Sequence, residues 1–127
     1  MEKNISKKVF IVDDDPFILD MYVRKFTAAG FVLETATDGN GALEGVKKSQ
    51  PDIVLLDIIM PQADGFEVLQ KLKENAITKK IPVVLLTNLG QKGDIEKGLQ
   101  LGAVDYIVKA HFTPSEVVEK IKNILKI

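Results

Sequence analysis

The sequence has no cysteine and only one histidine. Without cysteine there is no disulfide scaffold, no thiolate metal site and no cysteine nucleophile. The formal net charge of −1 provides no overall basic field to hold nucleic acid or an anionic membrane. No apolar run approaches the roughly 20 residues of a membrane span, and the polar residues 1–8 lack the apolar stretch of a signal peptide. We therefore expect a cytoplasmic protein that binds no nucleic acid and does not insert into a membrane.

The size and composition fit one compact domain. The chain has 127 residues, of which 46% are apolar and 28% charged, ordinary values for a globular protein. A chain of this length suits a single domain and can bury a core without disulfides or a structural metal. We expect residues 1–127 to form that one domain.

Short β-rich runs alternate with helical patterns along the chain. Strands are predicted at 9–12, 31–36, 53–56, 83–86 and 103–108, and helices at 16–29, 39–46, 66–72, 94–101 and 114–125. The last helix has the clearest start, because Thr113 and Glu116 form a capping box around Pro114 at the first helical position. Five strand–helix units in sequence imply right-handed crossovers and a parallel sheet with helices on both faces. A closed barrel needs about 250 residues, so the open, doubly wound sheet is favoured.

Four of the five predicted strands are followed by polar residues that can carry chemistry. Asp13 and Asp14 follow the first strand, Asp57 the third, Thr87 the fourth and Lys109 the fifth. The carboxyl ends of parallel strands lie along one edge of the sheet, which is where open α/β sheets bind ligands. The sequence therefore predicts that these side chains converge.

The acidic residues of this cluster predict a metal site. Three close carboxylates repel one another, and a divalent cation relieves that repulsion. Oxygen ligands without histidine or cysteine favour Mg²⁺, and Mn²⁺ is able to take its place. A carboxylate beside such an ion can attack phosphorus and form an acyl phosphate. Lys109 can then pair with the phosphoryl charge, and the Thr87 hydroxyl can donate to a phosphoryl oxygen.

Each of these residues also has an ordinary structural interpretation when taken alone. An aspartate pair after a strand is often a helix cap, and Asp15 before Pro16 is most simply the N-cap of the first helix. An isolated lysine is usually a solvated charge. What favours function is that all of them end different predicted strands and together form one complementary site.

Five segments resemble the motifs of response regulator receiver domains. They are FIVDDDP at 10–16, PDIVLLDIIMP at 51–61, DG at 64–65, LLT at 85–87 and GAVDYIVK at 102–109. The resemblance implies a flavodoxin-like, doubly wound (βα)5 three-layer sandwich with a parallel sheet in the order 2-1-3-4-5. It also implies a single receiver domain over residues 1–127, standing alone without an output domain.

The resemblance assigns a role to each residue of the site. Asp57 would be the phosphoacceptor, and Mg²⁺ would be held by Asp13, Asp14, Asp57 and the backbone carbonyl of Ile59. The switch residues would be Thr87, Lys109 and the aromatic Tyr106.

As a whole, the resemblance implies a signalling domain rather than an enzyme. It would receive a phosphoryl group from a sensor histidine kinase or a histidine phosphotransfer protein. It would then switch binding to a downstream protein through the face formed by the fourth helix, fifth strand and fifth helix.

Three departures from the family pattern bear on this reading. Lys109 is usually followed by a cis proline, but here Ala110 follows. Because a cis bond without proline costs about 2.5–4 kcal/mol, the Lys109–Ala110 bond is either a strained cis peptide or a rerouted trans one.

Asn88 is larger than the residue usual after Thr87, and can narrow access to the phosphoryl group or add a hydrogen bond. Ile59 and Leu89 are apolar where a side chain could orient water, which predicts slow self-hydrolysis.

Three alternatives remain at this stage. A magnesium-dependent phosphohydrolase would need an acidic residue at position 59 and a cap domain. A flavin-binding module would need a phosphate loop where Asp13–Asp15 would repel phosphate. A degenerate receiver would act only in docking. The lone histidine, His111, is predicted to be a loop residue without a function in the site.

Overall fold

The computed structural model describes residues 6–61 and 63–127, with nothing described of the Ala63 side chain. The helices are α1 (Pro16–Ala28), α2 (Gly39–Ser49), α3 (Gly65–Glu74), α4 (Lys92–Gln100) and α5 (Pro114–Leu125). The strands of the main sheet are β1 (Lys8–Val12), β2 (Val32–Ala36), β3 (Ile53–Leu56), β4 (Val83–Thr87) and β5 (Asp105–Val108). The expectation of no signal peptide rests partly on residues 1–5, which lie outside this description.

The main sheet is fully parallel and has the order β2-β1-β3-β4-β5. The predicted fold class and strand order are thereby confirmed. Element boundaries shift by one to three residues, most at the end of α2, which runs to Ser49 rather than 46. Such shifts occur because caps and hydrogen bonds rather than hydropathy set the ends.

Helices cover both faces of the sheet and divide the core into two layers. The side chains of each strand alternate between faces, so that Phe10 packs with α2 and α3 while its neighbour Ile11 packs with α1 and α5. Strands β1, β3 and β4 are central, and β3 and β4 are buried along their whole length. The continuous apolar runs at 53–56 and 83–86 reflect this burial on both sides.

The segment between β3 and α3, predicted to be a loop, contains a short antiparallel ladder. Ile59 pairs with Asp64 and Met60 with Ala63. A hydropathy pattern does not reveal a two-residue pairing, because the ladder is held by main-chain hydrogen bonds rather than by an apolar face.

The five helices differ in how firmly their ends are fixed. Side-chain caps come from Asp15, Asp38, Asp64 and Thr113 for α1, α2, α3 and α5, and α5 has the predicted capping box. Helix α4 has no side-chain cap, and Gly98 is its only buried residue. It is therefore the most weakly anchored of the five. None of the helices in the described part of the chain is long and apolar enough to cross a membrane.

Candidate active site

The carboxyl ends of β1 and β3 carry two buried aspartates. Asp13 directly follows β1 and is 2% exposed, and Asp57 directly follows β3 and is 6% exposed. The sheet hydrogen bonds continue through both residues. The Asp13 amide donates to the Ala36 carbonyl at 3.2 Å, and the Asp57 amide donates to the Val12 carbonyl at 3.0 Å. The main chain of the sheet therefore fixes where these two side chains begin.

Each buried carboxylate uses one oxygen to hold its own turn. The Oδ1 atom of Asp13 accepts from the Asp15 amide at 2.9 Å, and the Oδ1 atom of Asp57 accepts from the Ile59 amide at 3.0 Å. The Oδ2 atoms of both residues accept from the ammonium group of Lys109 instead. Local backbone contacts thus orient both carboxylates before any ligand is considered.

Lys109 bridges the two buried acids from the end of β5. Its Nζ lies 2.5 Å from Asp13 Oδ2 and 2.9 Å from Asp57 Oδ2, and 9% of its side chain is exposed. Burial by itself lowers the pKa of Lys109, but the hydrogen bonds and charges of Asp13 and Asp57 outweigh burial and raise this pKa above its usual value. Lys109 is therefore a fixed positive charge that balances the two carboxylates.

The donor set fits the expected divalent cation. One carboxylate oxygen each from Asp13, Asp14 and Asp57 lie within 4.8 Å of one another. All three donors are hard oxygens, and Asp14 is exposed, which leaves room for the several waters that Mg²⁺ retains. Ile59, whose carbonyl was predicted as a further ligand, lines the same cavity. These residues are the ones that would hold Mg²⁺.

The site is an open cavity of about 220 Å³. It is lined by Asp13, Asp14, Asp15, Ile18, Asp57, Ile59, Asn88 and Lys109. Sequence reasoning did not place Ile18 here. The sequence did contain a signal for Ile18. A helix that starts at Pro16 places its first turn beside Asp13–Asp15, which directly precede it.

Thr87 ends β4 beside this cavity, in register with Val108 of β5, and is fully buried. Its Oγ1 accepts from the Leu89 amide at 3.3 Å. Thr87 is not among the residues that line the cavity in this structure.

Tyr106 points from β5 toward the loop after β4. Its hydroxyl donates to the Leu89 carbonyl. Burial, followed by the charges of Asp94 and Asp57, raises the pKa of Tyr106 to about 12. Leu89 is thus held by Thr87 at its amide and by Tyr106 at its carbonyl.

The bond between Lys109 and Ala110 is trans, since no peptide bond in the described residues is cis. This settles the alternative left open by the sequence. The chain after β5 forms a short 3₁₀ turn, Lys109–His111. The Ala110 amide donates to Oδ1 of Asn88 at 3.0 Å. His111 ends the turn and is exposed.

Gly65 brings the start of α3 against the backbone of Asp57. A Cβ atom at this position would lie 2.4 Å from the Cα of Ile58 and 2.5 Å from the carbonyl oxygen of Asp57. The Gly65 amide donates to the Ile58 carbonyl at 3.0 Å. Only glycine permits this approach, so Gly65 supports the turn that presents the Asp57 carboxylate.

A doubly wound parallel sheet with an acidic, lysine-bridged cluster at its carboxyl edge defines a class of α/β domains with a candidate cation site at the strand ends. Residues 9–122 match the family described as the response regulator receiver domain, and the chain belongs to that family. Such domains are signalling domains of two-component systems rather than classical enzymes. The family match decides against the phosphohydrolase and flavin-module alternatives.

Several named relatives share this similarity. The chain is 38% identical over 121 residues to the probable transcriptional regulator ycf27 of Guillardia theta, covering 95% of this chain and 46% of the relative. It is 42% identical over 105 residues to the response regulator PleD of Caulobacter vibrioides, covering 83% of this chain and 23% of the relative. The chain therefore spans about half the length of the first and about a quarter of the second.

Solved structures agree with the fold over nearly the whole chain. A putative response regulator from Chloroflexus aurantiacus superposes with a TM-score of 0.87 and 32% identity, covering 96% of this chain and 99% of that one. The chemotaxis protein CheY4 of Vibrio cholerae gives a TM-score of 0.86 at 30% identity, covering 93% of this chain and 98% of that one.

Proposed function

We propose that this receiver accepts a phosphoryl group on Asp57 from the phosphohistidine of a sensor histidine kinase or a histidine phosphotransfer protein. Mg²⁺ would be held by Asp13, Asp14, Asp57 and the carbonyl of Ile59. The observation that carries the proposal is the position of Asp57, which lines an open cavity and whose Oδ2 lies 2.9 Å from Lys109 Nζ. The stand-alone state and the lack of an output domain stay predictions.

The chemistry proposed for the chain's own residues follows from the two Asp57 oxygens. Both oxygens accept a hydrogen bond, Oδ1 from the Ile59 amide and Oδ2 from Lys109. The backbone bond holds Oδ1 in its turn, whereas the lysine side chain can move, so we propose Oδ2 as the oxygen that attacks phosphorus. A phosphorus–oxygen bond forms as the phosphorus–nitrogen bond to the donor imidazole breaks, and the electron pair of that bond leaves with the imidazole. Bound Mg²⁺ would supply charge neutralisation and polarise the phosphoryl group. Lys109 would transfer its hydrogen bond from Asp57 to a phosphoryl oxygen.

The proposed signal passes from Thr87 to the loop after β4. The Thr87 hydroxyl has a proton to donate to a phosphoryl oxygen, and moving toward it would release the Leu89 amide. Leu89 also accepts from Tyr106, so the change would reach β5. Helix α4 follows directly and is weakly anchored. The α4-β5-α5 face is therefore the surface we propose to change partner affinity.

Apolar residues near the site support slow loss of the phosphoryl group. Ile59 is 55% exposed and lines the cavity, while Leu89 packs against the core. Neither side chain has a polar atom that could orient an attacking water. We propose a longer-lived phosphorylated form than in receivers with polar residues at both positions.

The proposed function is tested with a small phosphodonor. The protein is incubated with acetyl phosphate, with Mg²⁺ or with EDTA, and its mass is measured over time beside Asp57→Asn. We expect a gain of one phosphoryl group only with the metal and only in the wild type. A parallel titration with beryllofluoride and Mg²⁺ should shift the amide resonances of Thr87, Leu89 and Tyr106. No mass gain and no shifts in the wild type would refute the proposal.

The partners are proposed at the level of chemical class. A phosphohistidine-bearing kinase or phosphotransfer protein is the expected donor, and the downstream target is a protein that we leave unspecified. Several relatives are transcriptional regulators, so the prediction of no nucleic acid concerns residues 1–127 alone.

A further inference from the structure

Two positions that depart from the family pattern contact each other in this structure. Asn88 lies directly after Thr87, and Ala110 lies directly after Lys109. The side-chain oxygen of Asn88 accepts from the Ala110 amide at 3.0 Å. A proline at position 110 would have no amide hydrogen to donate. The hydrogen bond therefore depends on both departures at once.

This contact continues the pairing of β4 with β5 beyond the end of the sheet. The last backbone pair of the two strands is Thr87 with Val108. The Asn88–Ala110 hydrogen bond then joins the two loops that leave these strands. The 3₁₀ turn that starts at Lys109 is thus held by two hydrogen bonds. One is local, from the Phe112 amide to the Lys109 carbonyl at 3.3 Å, and the other links the turn to Asn88 in the neighbouring loop.

We propose that Asn88 is a positioning residue for Lys109. By accepting from the Ala110 amide, Asn88 fixes the path of the chain after Lys109. This path, with its trans Lys109–Ala110 bond, brings Lys109 Nζ between Asp13 and Asp57. This inference rests on the proposed function and deepens it. Because Asn88 adjoins Thr87, the same hydrogen bond ties the two residues that respond to the phosphoryl group, so that they move together.

The side-chain chemistry of Asn88 suits this role. Its side-chain oxygen accepts from the Ala110 amide, so its NH₂ group, with two N–H donors, points away from that amide. Asn88 also lines the cavity that holds Asp57. An apolar residue of the same size would keep the volume but lose the acceptor. An aspartate would keep the acceptor.

The test compares Asn88→Leu and Asn88→Asp with the wild type. Asn40→Leu, a change of the same kind at an exposed position in α2, is the matched control. Hydrogen exchange of the Ala110 amide reports the bond itself. The rate of modification by acetyl phosphate reports the position of Lys109, and calorimetric titration with Mg²⁺ reports the acidic cluster.

In Asn88→Leu we expect Ala110 to exchange about fivefold faster and phosphorylation to slow by about the same factor, which is the usual net effect of one hydrogen bond. Mg²⁺ affinity should not fall, because Asn88 is not among the residues that would hold the metal, and a displaced Lys109 leaves the carboxylates of Asp13 and Asp57 at least as free to bind it. Asn88→Asp should restore the slow exchange of Ala110, and Asn40→Leu should change nothing.

The inference is overturned if Asn88→Leu leaves the exchange of Ala110 unchanged. It is also overturned if exchange rises while the phosphorylation rate does not change, or if Mg²⁺ affinity falls in parallel. If the wild type takes up no phosphoryl group, the proposed function fails on its own. The exchange of Ala110 and the ¹⁵N shift of Lys109 Nζ, compared between wild type and Asn88→Leu, then decide whether Asn88 positions the lysine.

Discussion

The acidic half of the site and the half proposed to respond to a phosphoryl group are held in different ways. Asp13 and Asp57 follow the central strands β1 and β3, and sheet hydrogen bonds fix their backbones. Residues 88–89 and 109–110 lie beyond the ends of β4 and β5, toward the β5 edge of the sheet, and three contacts tie these loops: Thr87 with Leu89, Tyr106 with Leu89, and Asn88 with Ala110. Each of these contacts uses a side chain.

This difference separates a rigid part from an adjustable part. Main-chain ladders change only when strands move, whereas a side-chain hydrogen bond can be exchanged for another one of similar energy. The weakly anchored helix α4 follows the loop of the adjustable half directly. The buried carboxylates therefore lie in the rigid half of the site, whereas the loops after β4 and β5 form the half whose conformation can change.

The largest expected effect comes from cutting the link between the two halves. Lys109→Met leaves the buried carboxylates of Asp13 and Asp57 without their cation. We expect the free energy of unfolding to fall by about 3 kcal/mol in EDTA, as when one partner of a buried ion pair is removed. Mg²⁺ should restore much of this loss. Urea denaturation with and without the metal measures both effects, and an equal loss in the two conditions would contradict the role of Lys109 as charge balance.

The next effect disturbs the rigid half alone. In Gly65→Ala the new methyl group would lie 2.4 Å from the Cα of Ile58 and 2.5 Å from the carbonyl oxygen of Asp57. Both are backbone atoms, which shift only at a considerable cost in free energy. We expect a loss of about 1–3 kcal/mol in the free energy of unfolding, together with slower phosphorylation. Gly93→Ala is the control, because no atom lies within 4 Å of its Cβ position. A Gly65→Ala protein as stable as wild type would show that the turn is not rigid.

The pH dependence of stability tests the adjustable half. The folded protein raises the pKa of Tyr106 from 10.0 to about 12, so it holds this proton more tightly than the unfolded chain does. The stabilising contribution is complete below pH 10 and is lost as the pH rises toward 12. In Tyr106→Phe the free energy of unfolding should therefore fall less steeply over that interval. Lys109 and Tyr22 titrate in both proteins, so the difference in slope between them isolates Tyr106. Identical slopes would contradict its burial against Leu89.

The smallest expected effect is that of Gly98→Ala in α4. Its Cβ would lie 2.4 Å from Leu85 Cδ1 and 3.2 Å from the Tyr106 ring, and both are side-chain atoms that can shift. Alanine also favours a helix by about 1 kcal/mol over glycine. We expect a net change of less than about 1 kcal/mol, with altered ring resonances of Tyr106. A loss as large as that of Gly65→Ala would remove the contrast between the two halves.

The fold could be predicted from the sequence because its signals are strong and local. The apolar runs at 53–56 and 83–86 predicted buried parallel strands, and the convergence of Asp13, Asp57 and Lys109 followed from their positions at strand ends. The contact of Asn88 with Ala110 could not be predicted in the same way. It joins two loops 22 residues apart in the sequence, and loop paths depend on hydrogen bonds that leave no hydropathy pattern. The close approach of Gly65 to Asp57 depends on packing for the same reason.

The bridge made by Lys109 also bears on the order in which the domain assembles. Lys109 is 96 positions from Asp13 and 52 from Asp57, so the bridge forms only after nearly the whole chain has come together. Contacts between such distant residues close late, since the entropy of the intervening loops must be overcome first. During synthesis Asp13 and Asp57 therefore emerge before the lysine that bridges them. We expect Lys109→Met to speed unfolding in EDTA and to leave the refolding rate nearly unchanged in stopped-flow measurements. A slowed refolding rate would instead place this ion pair in the folding nucleus.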